Sequence, residues 1–343
     1  MSALQAEVPT PPRWTVEYVE DAPASVLAQP DVLAVFGFGR SAPRLQDPRY
    51  LRIALEPEGP AALEVWRGRG PVTHGRDGDI AWAQDGALQF GAIEIDEAFG
   101  RGGADGIEHA TETAYRRITA FLATHGYPHM LRMWNYFDDI TGGEGDDERY
   151  RRFCVGRARA IGAIDPAALP AATAIGRATG DKEQGEARRL QVYWLAAHAP
   201  GTPVENPRQV SAYRYPRQYG PQSPGFARAM LPPAGGAMPL MLSGTAAIVG
   251  HESQHRDDVE AQLDEVLANL DSLIGQARAQ GGRQPEHFGA GSRLKVYVRD
   301  RDDIPRVQAA LARRLPAQVP RIVLHAAVCR RELRVEIDGV HDA

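Results

Sequence analysis

Residues 320–340 read PRIVLHAAVCRRELRVEIDGV, and the architecture of the chain turns on them. Residues 322–329 form an apolar run. Arg330, Arg331 and Glu332 interrupt it as a turn between two strands. Beyond the turn, Leu333, Val335 and Ile337 alternate with Arg334, Glu336 and Asp338, the period-two signature of a half-buried strand. Glu336 thus stands on a rigid strand, with Cys329 at the end of the preceding one. A carboxylate held there beside Arg and Cys is a candidate proton donor. The same alternation also fits an outward face of solvated charge. On the residues alone, both readings stay open.

Upstream of this strand pair lies an ordered set of elements. Residues 304–315 and 259–280 read as helices, the longer with Leu263, Val266, Leu267, Leu270 and Ile274 in helical phase. Residues 294–298 (LKVYV) and 239–249 (PLMLSGTAAIV) read as strands. A similar set occurs earlier: a strand at 88–95, a helix at 107–125 with Ala110, Ala114, Ile118, Phe121 and Leu122 on one face, a strand at 130–140 and a helix at 147–161. Strand and helix alternate in each copy. This predicts an α/β fold, layered as α+β, with helices packed on one face of mixed β-sheets and the unit duplicated. The expected halves are residues 1–185, opening with an irregular Pro- and Ala-rich arm over 1–30, and residues 186–343. Further strands are expected at 32–38 and 62–66. Loops are expected at the glycine-rich stretches 68–86, 100–106, 141–147 and 281–292.

The chain has 343 residues and a formal net charge of -5, which argues against nucleic acid as the main partner. Its basic residues are Arg apart from Lys182 and Lys295, and Arg presents a fork that suits carboxylate ligands. Two cysteines, Cys154 and Cys329, make no disulfide framework. The opening MSALQAEVPTPPRW is polar, and nowhere do ~18 apolar residues run together, so no membrane partner is expected and the simplest location is the cytoplasm. The run HESQH puts His251 and His255 at the spacing of a zinc-binding pair, which keeps a zinc hydrolase open as an alternative. Against it, Gly244 and Gly250 precede the pair and the next helix begins near Asp258, so the pair falls in a loop. No third ligand is evident downstream. Cys154 reads as core, and GFGRSAP at 37–43 lacks the third glycine and following helix of a phosphate loop.

Several motifs carry family resemblances. Ser243-Gly244, the VYVRD strand at 296–300, Pro320-Arg321 and the VEI at 335–337 resemble the RidA (YjgF) family over the C-terminal part of the chain. In that family the Arg binds a carboxylate and the Glu serves proton transfer. A more specific resemblance spans most of the chain. WNYFDDI (134–140), ERYRRFCVGRARA (148–160), QVSAYRYPRQYGPQSPGFARA (209–229) and SGTAAIVGHESQH (243–255) together resemble the chorismatases, which are built from two RidA-like halves. That resemblance implies release of pyruvate from chorismate without a cofactor. One branch of the family hydrolyses the enolpyruvyl ether to a cyclohexadiene diol acid. Another forms 3-hydroxybenzoate, and some relatives form 3- and 4-hydroxybenzoate. The hydroxybenzoate branch carries a Cys seven residues before its catalytic Glu, the spacing of Cys329 and Glu336.

The same resemblance assigns expected roles. Chorismate is a dianion, and burying a carboxylate without a partner is costly, so a site for it needs two cationic groups. Arg157, Arg214 and Arg217 are the candidates; Tyr150, Tyr213 and Tyr219 can donate hydroxyl hydrogen bonds and pack against the ring, with Tyr150 and Tyr213 expected to orient it. Glu336 would protonate the enolpyruvyl methylene, which requires burial to raise its pKa. Cys329 would steer the product by excluding water. Two alternatives use the same fold: an imine deaminase of the RidA type acting on 2-aminoacrylate, and a small-molecule binding module. A monomer and a homotrimer are both compatible with a fused pair of halves.

Overall fold

A computed structural model describes residues 14–60, 62–97, 104–163, 165–177, 186–234 and 238–341. The N-terminal part holds β1 (Thr15–Val19), α1 (Pro23–Leu27), β2 (Val32–Phe38), β3 (Tyr50–Ile53), β4 (Glu56–Glu58), β5 (Leu63–Arg67), β6 (Thr73–Asp77) and β7 (Ile80–Gln84). Next come β8 (Leu88–Asp96), α2 (Ala104–His125), β9 (His129–Asp138), α3 (Arg149–Ile161), β10 (Ala171–Arg177) and β11 (Arg189–Ala197). A connecting stretch carries β12 (Thr202–Val204) and β13 (Ala229–Leu231). The last part has β14 (Leu240–Ala246), the short strands β15 (Ile248–Val249) and β16 (Glu252–Ser253), α4 (Val259–Ala279), β17 (Arg293–Val298), α5 (Ile304–Arg314), β18 (Arg321–His325) and β19 (Val335–His341).

The duplication is visible in the hydrogen bonding. β9 and β10 pair in parallel with α3 crossing between them, and β17 and β18 do the same across α5. In each unit the strand made last inserts antiparallel at the centre: β11 between β9 and β8, and β19 between β17 and β14. The six-stranded sheet therefore runs β10-β9-β11-β8-β7-β6, and the seven-stranded sheet runs β12-β13-β14-β19-β17-β18-β4. A break at 185/186 would part β11 from the sheet it completes. On this pairing we divide the halves between Ala197 and Thr202.

Three other expectations change. Stretch 68–86 holds the hairpin β6–β7, whose outer strand is mostly exposed and so lacks an apolar signature. Of the expected arm, residues 1–13 lie outside the described residues, while 15–19 and 23–27 are ordered as β1 and α1. Of the expected loop at 100–106, residues 100–103 lie outside the described residues and the rest begins α2.

Packing follows from residue types. Asp258 caps α4, accepting from the backbone N–H of Glu260 at 2.9 Å and of Ala261 at 3.2 Å. The stripe Leu263, Val266, Leu270 and Ile274 is wholly buried against a cluster that includes Val335 and Ile337 of β19. α2 and α3 cover the first half in the same way. A third sheet, β1-β5-β2-β3, meets the other two in a shared core that includes Phe36, Trp66, Trp134, Tyr193 and Tyr297. Trp134 stacks on Tyr193 with ring centroids 4.9 Å apart, and Trp66 lies 4.9 Å from Trp134.

α3 can approach α2 closely because Gly156 faces it. A Cβ there would run into the backbone oxygen of Glu108 and come within 3.1 Å of Thr111 Cβ. Gly156→Ala is therefore expected to cost about 1–3 kcal/mol by overpacking, despite the better helix propensity of Ala. Urea unfolding of the variant checks this, and an unchanged or raised midpoint would refute it.

Candidate active site

A cavity of about 600 Å³ opens at the seam between the halves. β9, β10 and α3 supply one wall. β14, β19 and the turn after β18 supply the other. Of the residues expected from sequence, Tyr150, Arg157, Cys329 and Glu336 line it together. Arg214, Arg217 and Tyr213 are not brought to it. They belong to two 3-10 turns, 212–214 and 217–219, that direct Tyr215 and Tyr219 into the cavity instead. Arg217 is largely solvent-exposed and forked onto Asp146, at 2.9 and 2.5 Å. Arg214 is exposed, with its guanidinium 5.6 Å from the Tyr213 ring.

β19 explains how Glu336 comes to be buried. One face of the strand, Val335 and Ile337, packs on helices; the other, Glu336 and Asp338, meets the first half. The polar face is thus an internal seam, and Glu336 is only 4% exposed. Burial pushes its pKa up from the ordinary 4.5 to about 8, and the charge of Asp338 adds to the effect. Arg132, Arg228 and Arg299 oppose the shift. Gly244 of β14 makes room for the carboxyl, since a Cβ at that position would collide with Glu336 Oε1.

Cationic and neutral groups surround this acid. Arg157 is buried, with its guanidinium 5.2 Å from the Tyr115 ring, and its Nε has no hydrogen-bond partner among the described residues. Arg228 is buried too; it donates to Tyr215 Oη at 2.8 Å and to the Val210 carbonyl at 3.0 Å, and its Nε likewise lacks a partner. Arg330 stacks 3.9 Å over Tyr219. Two buried guanidinium groups with unsatisfied N–H donors in one cavity are suited to a ligand with two carboxylates. Burial pushes the Cys329 thiol up to about 12, and the Glu336 charge would raise it further, so at neutral pH it is a small uncharged group. Cys154 behaves alike, raised to about 12 by burial. The Tyr150 phenol is held neutral by burial.

Arg228, Arg330, Gly244, Asn135 and Thr173 line the cavity without having been singled out for it. Asn135, Arg228 and Gly244 sit inside the segments that carry the chorismatase resemblance, and Gly244 also belongs to the Ser243-Gly244 pair that carries the RidA resemblance. His251 and His255 do not form a helical pair. His251 lies in the turn between β15 and β16, accepting or donating to Tyr219 Oη at 3.2 Å, and His255 faces Glu265 at 3.5 Å. Among the described residues no group of three or more His, Cys, Asp or Glu is placed to hold a metal ion. No helix among them is long and apolar enough to cross a membrane.

The raised pKa of Glu336 has a consequence for stability. The folded state keeps this proton up to about pH 8, whereas an unfolded chain releases it near 4.5. The contribution is therefore complete below about pH 4.5 and is lost as pH rises through about 8. Glu336→Gln mimics the protonated form. Its melting temperature relative to the parent is expected to rise from pH 5 to pH 9; a constant difference across that range would contradict it.

Comparison with known proteins identifies the family. Residues 64–196 match the family model described as chorismatase FkbO/Hyg5-like, N-terminal. A chorismatase of Streptomyces rapamycinicus is 39% identical over 81% of this chain and 81% of its own length. A 3-hydroxybenzoate synthase of Streptomyces hygroscopicus is 34% identical over 86% of each. A chorismatase crystal structure superposes with a TM-score of 0.82 at 32% identity, over 96% of this chain and 98% of its own. By descent, fold and cavity, the chain belongs to the chorismatase family.

Proposed function

We propose that this chain converts chorismate to pyruvate and 3-hydroxybenzoate, with Glu336 as the acid. The observation that carries this is a buried carboxyl, protonated up to about pH 8, in a cavity shared with Arg157 and Arg228. The relative named 3-hydroxybenzoate synthase supports the product. Arg157 and Arg228 take the two substrate carboxylates through their unsatisfied N–H groups, and Tyr150 orients the ring. Glu336 gives its proton to the enolpyruvyl methylene carbon, which leaves an oxocarbenium ion on the adjacent carbon. A neighbouring ring hydroxyl adds to that cation to form a cyclic ketal, and its proton passes to the original ether oxygen as the ketal bond to that oxygen breaks. The ring C–O bond to the attacking oxygen then breaks, and this oxygen leaves as the ketone of pyruvate. Loss of the proton from the ring carbon that keeps the hydroxyl restores both aromaticity and the acid form of Glu336.

The atoms of chorismate equal those of pyruvate plus hydroxybenzoate, so this route consumes no water. Hydrolysis to the diol acid takes up one. A neutral thiol beside the acid offers a water molecule a poorer anchor than a charged or hydroxylic side chain would, which favours internal attack. Cys329 serves product choice in this way.

Purified protein incubated with chorismate, with no added metal or cofactor, is expected to release pyruvate and 3-hydroxybenzoate in equal amounts. Intact chorismate would return the weight to a RidA-type deaminase or a binding module. Glu336→Gln is expected to lower kcat by about 10²-fold or more. The wild-type kcat should fall on an alkaline limb near pH 8, as the acid loses its proton. Cys329→Ala should divert product to the diol acid, and an unchanged product ratio, read by chromatography, would remove that role.

A further inference from the structure

Behind the cavity, and reaching its lining only through Thr173, lies a buried cluster that the proposed chemistry does not use. One oxygen of Asp338, Oδ2, accepts from Arg132 Nη2 at 3.1 Å, Trp134 Nε1 at 3.0 Å, Thr173 Oγ1 at 2.7 Å and Tyr297 Oη at 3.1 Å. Lys295 Nζ stands 3.7 Å from the other oxygen and is bonded to both oxygens of Glu64, at 3.1 and 2.9 Å. Asp338 and Arg132 are fully buried. Sequence places Asp338 two residues beyond Glu336, on the same face of β19. The donors come from β9, β10 and β17, so the carboxylate ties both halves together.

We propose that Asp338 is a positioning residue for the reaction, acting on Glu336 by its fixed charge and through a chain of contacts by way of Thr173 and Gly244. This inference rests on the function proposed above. The contact chain is short. The Thr173 hydroxyl donates to Asp338, accepts from Arg132 Nη2 at 2.6 Å, and accepts from the Gly244 backbone N–H at 3.0 Å. That hydroxyl is fully used. Gly244 in turn lies directly against the Glu336 carboxyl. The location of the acid is thus set from behind, by Asp338 and Arg132, which lie outside the cavity lining.

The charges close as well. Arg132 and Lys295 balance Asp338 and Glu64, so the cluster is neutral while Glu336 holds its proton. Ionising Glu336 would place a second negative charge beside Asp338 in a dry seam, where like charges repel strongly. Arg132 from β9, Arg228 ahead of β13 and Arg299 after β17 face Glu336 with the opposite sign. On the cavity side stand Tyr150, Cys329 and Arg330. The Tyr18, Tyr136, Tyr193 and Tyr297 phenols lie near Asp338, and all are held protonated by burial.

Two variants of opposite sign test the proposal. Asp338→Asn removes the repelling charge, so the alkaline limb of kcat should move to lower pH. The loss should be on the order of tenfold at pH 8.5 and under about threefold at pH 6. Arg132→Gln removes an attracting charge, so its limb should move to higher pH. A purely structural role would lower kcat and melting temperature equally at all pH, leave both limbs in place, and overturn the proposal. If Asp338→Asn does not fold, the direction of the Arg132→Gln limb still decides. If the wild-type protein leaves chorismate intact, the proposed function fails, yet the infrared carboxyl band that disappears in Glu336→Gln can be titrated in both variants. Unmoved titration there would refute the effect of Asp338 on its own.

Discussion

A carboxylate withdrawn from water must either be given donors or keep its proton, and β19 meets that constraint in both ways within three residues. Asp338 receives four hydrogen bonds on one oxygen. Glu336, on the same face, has a pKa raised to about 8 by burial and by that neighbour. Everything that makes the cavity chemically distinctive follows from this pairing of fates. It needs a strand covered on both sides, which only a second layered half can provide. It also needs cations at the seam: Arg132 comes from β9 of the other half and Lys295 from β17, the neighbouring strand in the same sheet.

The duplicated topology is what puts the two sheets face to face. Each half spends its helices on one side, leaving the other side of its sheet without cover. The two bare faces, with the four-stranded N-terminal sheet, enclose a core rich in rings: Trp134 stacks on Tyr193, and Trp66 lies tilted against both. At the seam the ring packing passes into the ionic cluster, where Arg132 lies 4.1 Å from the Trp134 ring and Lys295 5.1 Å from it. Hydrocarbon, rings and paired charge thus grade into the open cavity, and the wall behind Glu336 is stiff.

Much of this was legible in the residues, in proportion to how local its cause is. Helices α4 and α5 carry their periodicity in full, because each meets solvent on one side and core on the other; β17 is buried on both faces. The hairpin β6–β7 was read as loop because its outer strand, THGRD, is exposed almost throughout and is written in polar residues. The strand at 189–197 was left out of the first half because its place at the centre of a sheet depends on partners distant in the chain. Of the candidate residues, Glu336, Cys329, Arg157 and Tyr150 line the cavity, and Arg214, Arg217 and Tyr213 do not. Composition alone cannot say which residue of a proline-bounded 3-10 turn faces inward. Whether the charged face of β19 meets water or the other half is likewise absent from any local pattern.

The central placement of β11 and β19 bears on the order of assembly. Each is the last strand of its unit in the chain, yet each must slot between strands already synthesised, forming ladders on both edges. Such closure is non-local and comes late, after its neighbours are positioned. β19 is also the strand that delivers Glu336. A chain caught short of that insertion has a gap in its sheet and its acid in water, where an ordinary carboxyl is ionised at neutral pH. Glu336 therefore keeps its proton at neutral pH only once the final ladder has zipped.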